Sequence, residues 1–176
     1  MFMDAVVFDT ETTGMSPQRG ARIIELGAVR IFQNEIVEEF HSLINVAAPI
    51  SPYAQKVHGI SKAMLRGQPE PEEVYPQFNR FIANSTLVAH NAKFDMRFIE
   101  AEFARIGLDM SHASECTLRL SRVYLPELAN HKLETVYRHL GGVIDDNMKQ
   151  HRALDDARMA AYVWLWLCDM RAGRGR

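Results

Sequence analysis

Residues 6–14 read VVFDTETTG: an apolar run that leads into two carboxylates, Asp9 and Glu11, two positions apart. The side chains of an extended strand repeat every two residues, so both acids project from one face and Thr10 from the other. Two negative charges held that close repel each other unless a cation sits between them. The nearest basic residues in sequence, Arg19 and Arg22, lie beyond a turn. The pair therefore reads as a site for a hard divalent ion, because Mg²⁺ or Mn²⁺ takes oxygen ligands from carboxylates and usually keeps water for chemistry. The plainer alternative is a strand end carrying two solvated acids.

Outward from this strand, 22–32 (RIIELGAVRIF) is rich in β-branched residues and predicts a second strand. Gln33-Asn34 supplies turn chemistry, and 36–46 predicts a third strand in an antiparallel meander. The segment 51–66, punctuated by Pro52 and Gly59, predicts two short helices. Val74, Phe78, Phe81 and Ile82 recur at helical spacing over 71–83. A short strand is expected over 86–89, a helix over 95–106 stopped by Gly107, another over 132–140 stopped by Gly141-Gly142, and a last helix from Arg152 to about Met170. Early strands followed by helices alternating with a further strand give an α/β domain with a mixed sheet. A single domain over 1–170 is expected, with 171–176 (RAGRGR) as a flexible basic tail.

The chain has 176 residues, enough for a substantial core. Its 20 Lys and Arg against 22 Asp and Glu leave a formal net charge of −2. That balance argues against a tight, non-specific duplex binder and for nucleic acid that is held briefly. Cys116 and Cys168 fit no metal spacing or disulfide framework and read as packing residues in a reducing compartment. The N-terminus enters the first strand without a signal-peptide pattern, and the longest apolar run, 162–168, is too short to span a bilayer. A soluble cytoplasmic protein with no membrane partner is the expectation.

Two further acidic features complete the pattern. In LVAHNAKFD, 87–95, a strand gives way to a helix near whose N-terminus Asp95 falls, where the helix dipole favours an anion. Capping alone would account for it, but the carboxyl end of a strand is also where α/β sheets build sites. The last helix opens with HRALDDA, 151–157. At about 100° per residue, Ala153, Ala160, Val163, Trp164 and Leu167 fall within a quarter-turn of Asp156. Asp156 is thus an acid on the core-facing stripe and needs a partner, which a metal shared with Asp9 and Glu11 would supply. Asp155 lies near the stripe's edge, where a charge beside Arg152 that favours the dipole explains it. His151 is about 140° from Asp156, so it belongs to the preceding loop, and an imidazole, with an ordinary pKa of about 6.5, suits proton abstraction from water.

FDTETTG, HNAKFD and the H-x₄-D of HRALDDA together resemble the three motifs of the DEDDh, or DnaQ-like, exonucleases, a family that includes the proofreading epsilon subunits of bacterial DNA polymerase III. The resemblance covers nearly the whole chain, with the motifs in order. It implies an RNase H-like mixed β-sheet flanked by helices, in which Asp9, Glu11, Asp95 and Asp156 hold two Mg²⁺ or Mn²⁺ ions and His151 is the general base. It implies release of nucleoside 5′-monophosphates from the 3′ end of single-stranded nucleic acid, with DNA expected and RNA 3′-end trimming as the alternative. VHGIS, 57–61, resembles the family's substrate-side motif and would set His58 against the terminal nucleotide, with Tyr53 bordering it. Thr12 and Thr13 resemble residues whose backbone N–H groups meet the strand end. Phe94, Phe98 and Met15 are candidate stacking surfaces, although isolated apolar residues more often belong to a core.

A DNA polymerase subunit is a candidate partner, as is a second copy of the chain through Tyr162 and Trp166, which lie off the buried stripe. The chain ends soon after its last helix, without the polymerase-binding segment of full-length epsilon subunits, which is the pattern of a free-standing exonuclease or a trimmed domain. Two other classes compete. DTETT is a near miss to the D-x-D-x-[TV] of haloacid dehalogenase-type phosphatases, but Asp155-Asp156 sits inside a helix after the polar stretch 145–150 rather than just beyond a strand. A non-catalytic binding module would not need four acids and His151 together.

Overall fold

The computed structural model describes residues 4–144 and 151–173. Residues 1–3, 145–150 and 174–176 lie outside the described residues, and with them the start of the chain, the polar stretch before His151 and half of the expected basic tail. Three strands open the fold: β1 (Ala5–Thr12), β2 (Ile23–Phe32) and β3 (Glu35–Leu43). They form the expected antiparallel meander. Gln33 and Asn34 both have positive φ, 53° and 68°, as a tight hairpin turn with the strands' own twist requires. β1 runs four residues beyond the apolar stretch 5–8, so Asp9 and Glu11 sit within a paired strand, opposite Gly27 and Glu25.

Helices α1 (Pro52–His58), α2 (Lys62–Leu65) and α3 (Pro71–Ile82) follow, and then β4 (Thr86–Ala89) enters the sheet parallel to β1. α4 (Ala92–Arg105) leads to a short strand, β5 (Ser114–Cys116), and directly into α5 (Thr117–Tyr124). Nothing in the sequence reading foresaw β5 or α5. The fold closes with α6 (Leu133–His139) and α7 (Ala153–Arg171). The strand order is β3-β2-β1-β4-β5, a mixed sheet. α4 begins at Ala92, earlier than expected, because Asn91 adopts a left-handed φ of 79° and turns the chain straight from the strand into the helix.

The two-residue period of β1 divides the core. Val6 and Phe8 pack with Phe78 of α3 and Phe98 and Phe103 of α4 on one face. Ala5 and Val7 pack with Val136 of α6 and Ala160, Val163, Trp164 and Leu167 of α7 on the other. Cys116 and Cys168 serve as packing residues against these two layers. Asp9 and Glu11 continue the Ala5–Val7 face toward α7, while Thr10 continues the Val6–Phe8 face toward α4.

Two close fits fix the helices to the sheet. Glu102, fully buried on α4, accepts a two-pronged pair from Arg22 at 2.7 Å for both contacts, bolting the entry to β2 onto α4. Arg22 is thereby removed as a partner for Asp9 or Glu11. On the other face, the first turn of α7 crosses β2 at Gly27, where an added Cβ would stand 2.2 Å from the Leu154 backbone nitrogen. Tyr162 and Trp166 are not a free face of α7: Tyr162 donates to the Leu140 carbonyl at 2.9 Å and meets Tyr137 edge-on at 5.1 Å, and Trp166 lies beside it. The buried stripe marks the sheet side of α7, and α5 and α6 cover a second side.

Gly27→Ala must push α7 off the sheet or bend β2. A loss of about 1 to 3 kcal/mol is expected, the usual cost of overpacking. Urea unfolding checks it, and the conservative change should also lower turnover because Asp156 moves with α7.

Candidate active site

Asp9 and Glu11 face α7 from β1, Asp156 faces them from the first turns of α7, and Asp95 reaches the same point from the first turn of α4. Parallel pairing of β1 with β4 creates this convergence. The pairs Ala5–Thr86, Val6–Leu87 and Val7–Val88 bring the end of β4, and hence α4, beside Asp9. This is the crevice at the carboxyl ends of the central strands, where the connections leave in opposite directions. Asp95 is 3% exposed and accepts a 2.8 Å hydrogen bond from Thr10 Oγ1. Thr10 is turned away from the two acids, as the strand period requires, and holds the third.

Among the described residues, ligand atoms of Glu11, His151 and Asp156 lie within 4.8 Å of one another. His151 stands in the exposed turn before α7, outside the helix, and its backbone N–H donates to Asp156 Oδ2 at 3.1 Å. Asp155 points elsewhere. Its carboxylate accepts from Arg158 at 2.9 Å, its charge also favours the Arg152 guanidinium as expected, and Arg158 spans to Glu39. Asp9, Asp156, His151, His90 and Lys132 line one cavity of about 430 Å³.

The electrostatics follow from burial first and from crowding second. Burial, then the charges of Asp95, Asp156 and Glu11, raise Asp9 well above the ordinary carboxyl range. Burial, then Asp156, Glu25 and Asp95, push Glu11 up to about 9. Burial is likewise the main cause that lifts Asp95 and Asp156 to about 7 each. The cluster is short of positive charge, and oxygen donors in this state suit a hard divalent cation.

A second cavity, about 130 Å³, is lined by Glu11 together with Thr10, Thr12, Met15, Tyr53, His58 and Phe94. Tyr53 is 70% and Met15 66% exposed, so both present apolar surface at its mouth. Phe98 is fully buried and belongs to the core. His58 is buried, with Nδ1 accepting from Ile60 N at 2.9 Å and Nε2 donating to the Thr12 carbonyl at 3.3 Å. Its burial also lowers its proton affinity. The ring is thus a neutral brace for the loop after β1, and Gly59 behind it ends α1 with a φ of 72°. Thr12 Oγ1 donates to the Gly14 carbonyl. Thr13 is spent within the chain: its N–H donates to the Arg22 carbonyl at 2.8 Å and its hydroxyl accepts from Arg22 N.

Sequence reasoning missed three members of the site. Thr10 is one. His90 is another: Nε2 donates to the His131 carbonyl, leaving Nδ1 to accept from Thr117 Oγ1, and burial lowers its pKa to about 4, so a neutral ring ties the end of β4 to the loop carrying Lys132. The third is Glu25, fully buried opposite Glu11 and bound by Arg152. The E of IIELG was the only available signal, a charge inside an apolar strand.

The RNase_T family, described as exonuclease, matches residues 6–164. The chain belongs to this exonuclease family. It is 41% identical over 166 residues to the DNA polymerase III PolC-type protein of Thermotoga maritima, covering 94% of this chain and 12% of that protein. It is 37% identical over 172 residues to a DNA polymerase III subunit epsilon-like protein of Rhodobacter capsulatus, covering 97% of this chain and 24% of that one. The chain therefore spans about a tenth of the length of its PolC-type relatives. Exonuclease X, solved in complex with 5′-overhanging duplex DNA, aligns with a TM-score of 0.78 at 26% identity over 96% of this chain and 93% of that one. The zinc-bound E. coli exonuclease I–single-stranded DNA complex shares the fold, with a TM-score of 0.82 at 16% identity over 99% of this chain and 42% of that one. The mixed sheet flanked by helices is the RNase H-like fold of these DnaQ-like exonucleases. No helix among the described residues is long and apolar enough to cross a membrane.

The raised carboxyl groups give a pH dependence with a definite sign. Folded-state values above the unfolded ones mean that the native state binds more protons, so stability is fullest below the unfolded carboxyl range and is lost as pH rises through the folded values. Without divalent ions, the melting temperature should fall from about pH 5 to about pH 9, the window set by Asp95 and Asp156 near 7 and Glu11 near 9. Saturating Mn²⁺ should flatten the profile. A melting curve in EDTA that rises across this window would contradict the crowding.

Proposed function

We propose that the chain is a divalent-metal-dependent 3′–5′ exonuclease that removes nucleoside 5′-monophosphates from the 3′ end of single-stranded DNA. The observation that carries the proposal is the convergence of Asp9, Glu11, Asp95 and Asp156 from three separate elements, with the His151 ring beside Glu11 and Asp156. DNA is favoured because relatives 37% and 41% identical are DNA polymerase III proteins. A polymerase subunit is a candidate partner on the same ground.

The four acids would hold two Mg²⁺ or Mn²⁺ ions. When bound, such ions supply an activated water and stabilise charge on the leaving 3′ oxygen. His151, in the open turn, takes the proton of the attacking water on its imidazole. The water oxygen bonds to the terminal phosphorus as the P–O3′ bond breaks, and the leaving 3′ oxygen takes a proton from solvent, giving a nucleoside 5′-monophosphate and a shortened strand with a 3′-hydroxyl. Tyr53, Met15 and Phe94 present apolar surface on which an unpaired terminal base can stack, which favours single-stranded ends. His58 holds the Thr12 loop in place for that base through the Thr12 carbonyl.

Degradation of 5′-labelled single-stranded DNA and RNA, with Mg²⁺, Mn²⁺ or EDTA, tests the proposal. Stepwise shortening of DNA that stops in EDTA is expected; internal cuts or metal-free cleavage would refute it. Asp156→Ala should abolish turnover, whereas Asp155→Ala should leave most of it, since Asp155 is committed to Arg158. His151→Ala should cut turnover by about 10² to 10⁴-fold, the usual contribution of a general base, and flatten the acidic limb of the pH–rate profile.

A further inference from the structure

Glu25 is a fifth carboxylate at the edge of the acidic cluster, paired in register with Glu11 and fully buried. It differs from the other four in that a guanidinium holds both of its oxygens. Oε1 accepts from Arg152 Nη2 at 2.6 Å and from His41 Nε2 at 2.8 Å. Oε2 accepts from Arg152 Nε at 3.1 Å and from the backbone N–H of Ala153 at 3.2 Å. Ala153 is the first residue of α7, and Arg152, at the capping position, makes no side-chain cap of its own. A carboxylate from β2 therefore satisfies the orphan donor that a local Ser or Asp would usually serve.

The residue before Arg152 is His151, in the left-handed region at φ 58°. A residue with a Cβ stays there only when its surroundings hold it. Two ties do so: its own N–H is bound by Asp156 Oδ2, and the next residue is clamped by Glu25. Gly27, on the same face of β2, lets the first turn of α7 lie close enough for the clamp to close.

We propose that Glu25 and Arg152 are positioning residues that fix the direction of the His151 imidazole, acting through the backbone at the start of α7. The catalytic consequence rests on His151 being the base. The bidentate pair transmits its geometry over a single peptide unit, so loss of the fork releases the turn while Asp9, Glu11 and Asp95 stay on their own elements and Asp156 stays with α7 where it is seated on Gly27.

Arg152→Met removes the charge and keeps the stem, and it is compared with Arg152→Lys in the wild-type and His151→Ala backgrounds. Arg152→Met should lower kcat by about 10- to 100-fold, part of what a displaced general base forfeits, with KM for single-stranded DNA within about twofold. Arg152→Lys should recover part of the loss. In the His151→Ala background the same change should alter kcat by less than about twofold, since no imidazole is left to misplace. Histidine-labelled NMR supplies a readout independent of turnover: the His151 ring signal should broaden or shift in Arg152→Met. An equal loss of kcat in both backgrounds, or an unmoved His151 signal, would overturn the clamp. Should His151→Ala alone keep full turnover, the base assignment falls, and the NMR signal still decides whether the clamp sets the ring.

Discussion

The repulsion among Asp9, Glu11, Asp95 and Asp156 is the constraint on which the rest of this structure depends. Neighbouring charges add to the burial penalty of these acids, most clearly at Asp9 and Glu11, where the other carboxylates follow burial as the next causes. A fold that accepts this must hold each acid by its own backbone. The strand period of β1 sets Asp9 and Glu11, the Thr10 hydroxyl holds Asp95, and the seating of α7 on Gly27 sets Asp156. The two core layers supply the rigidity, with strongly apolar packing on both faces of β1 directly below the acids.

Around this charged centre the chain separates its basic groups by function. Arg22 is bound to Glu102 and Arg158 to Glu39 and Asp155, so both serve packing between elements. Arg152 is bound to Glu25, whose carboxyl is held down to about 2 even though burial alone would raise it; the hydrogen bonds from His41 and Arg152 outweigh that penalty. Glu25 is thus neutralised by protein, whereas Asp9, Glu11, Asp95 and Asp156 beside it keep raised carboxyl groups. The difference between Glu11 and its cross-strand neighbour Glu25 lies in their partners, not in their residue type.

What the sequence made legible was local. The two-residue period of β1 and the 100° step of α7 sufficed to aim Asp9, Glu11 and Asp156 inward, and the Gln33-Asn34 turn announced the hairpin. What it hid was long-range. The motif resemblance names Asp95, but the pairing of β4 with β1 that carries it to the others is not readable from local pattern, nor is the partner that Glu25 meets 127 positions away. β5 is three residues long and exists by pairing with the edge of β4, so no periodicity could reveal it. Tyr162 and Trp166 looked exposed because one helix face was considered, whereas α6 lies on the other.

The most direct test of the charge-deficient centre is calorimetric titration of Mn²⁺ into EDTA-stripped protein near neutral pH, in buffers of differing ionisation heat. Two ions should bind per chain, with release of protons from the carboxyl groups that crowding had kept protonated, and Asp9→Asn with Asp156→Asn should lose both the binding and the proton release. Absence of binding, or binding that this double variant leaves unchanged, would contradict the account.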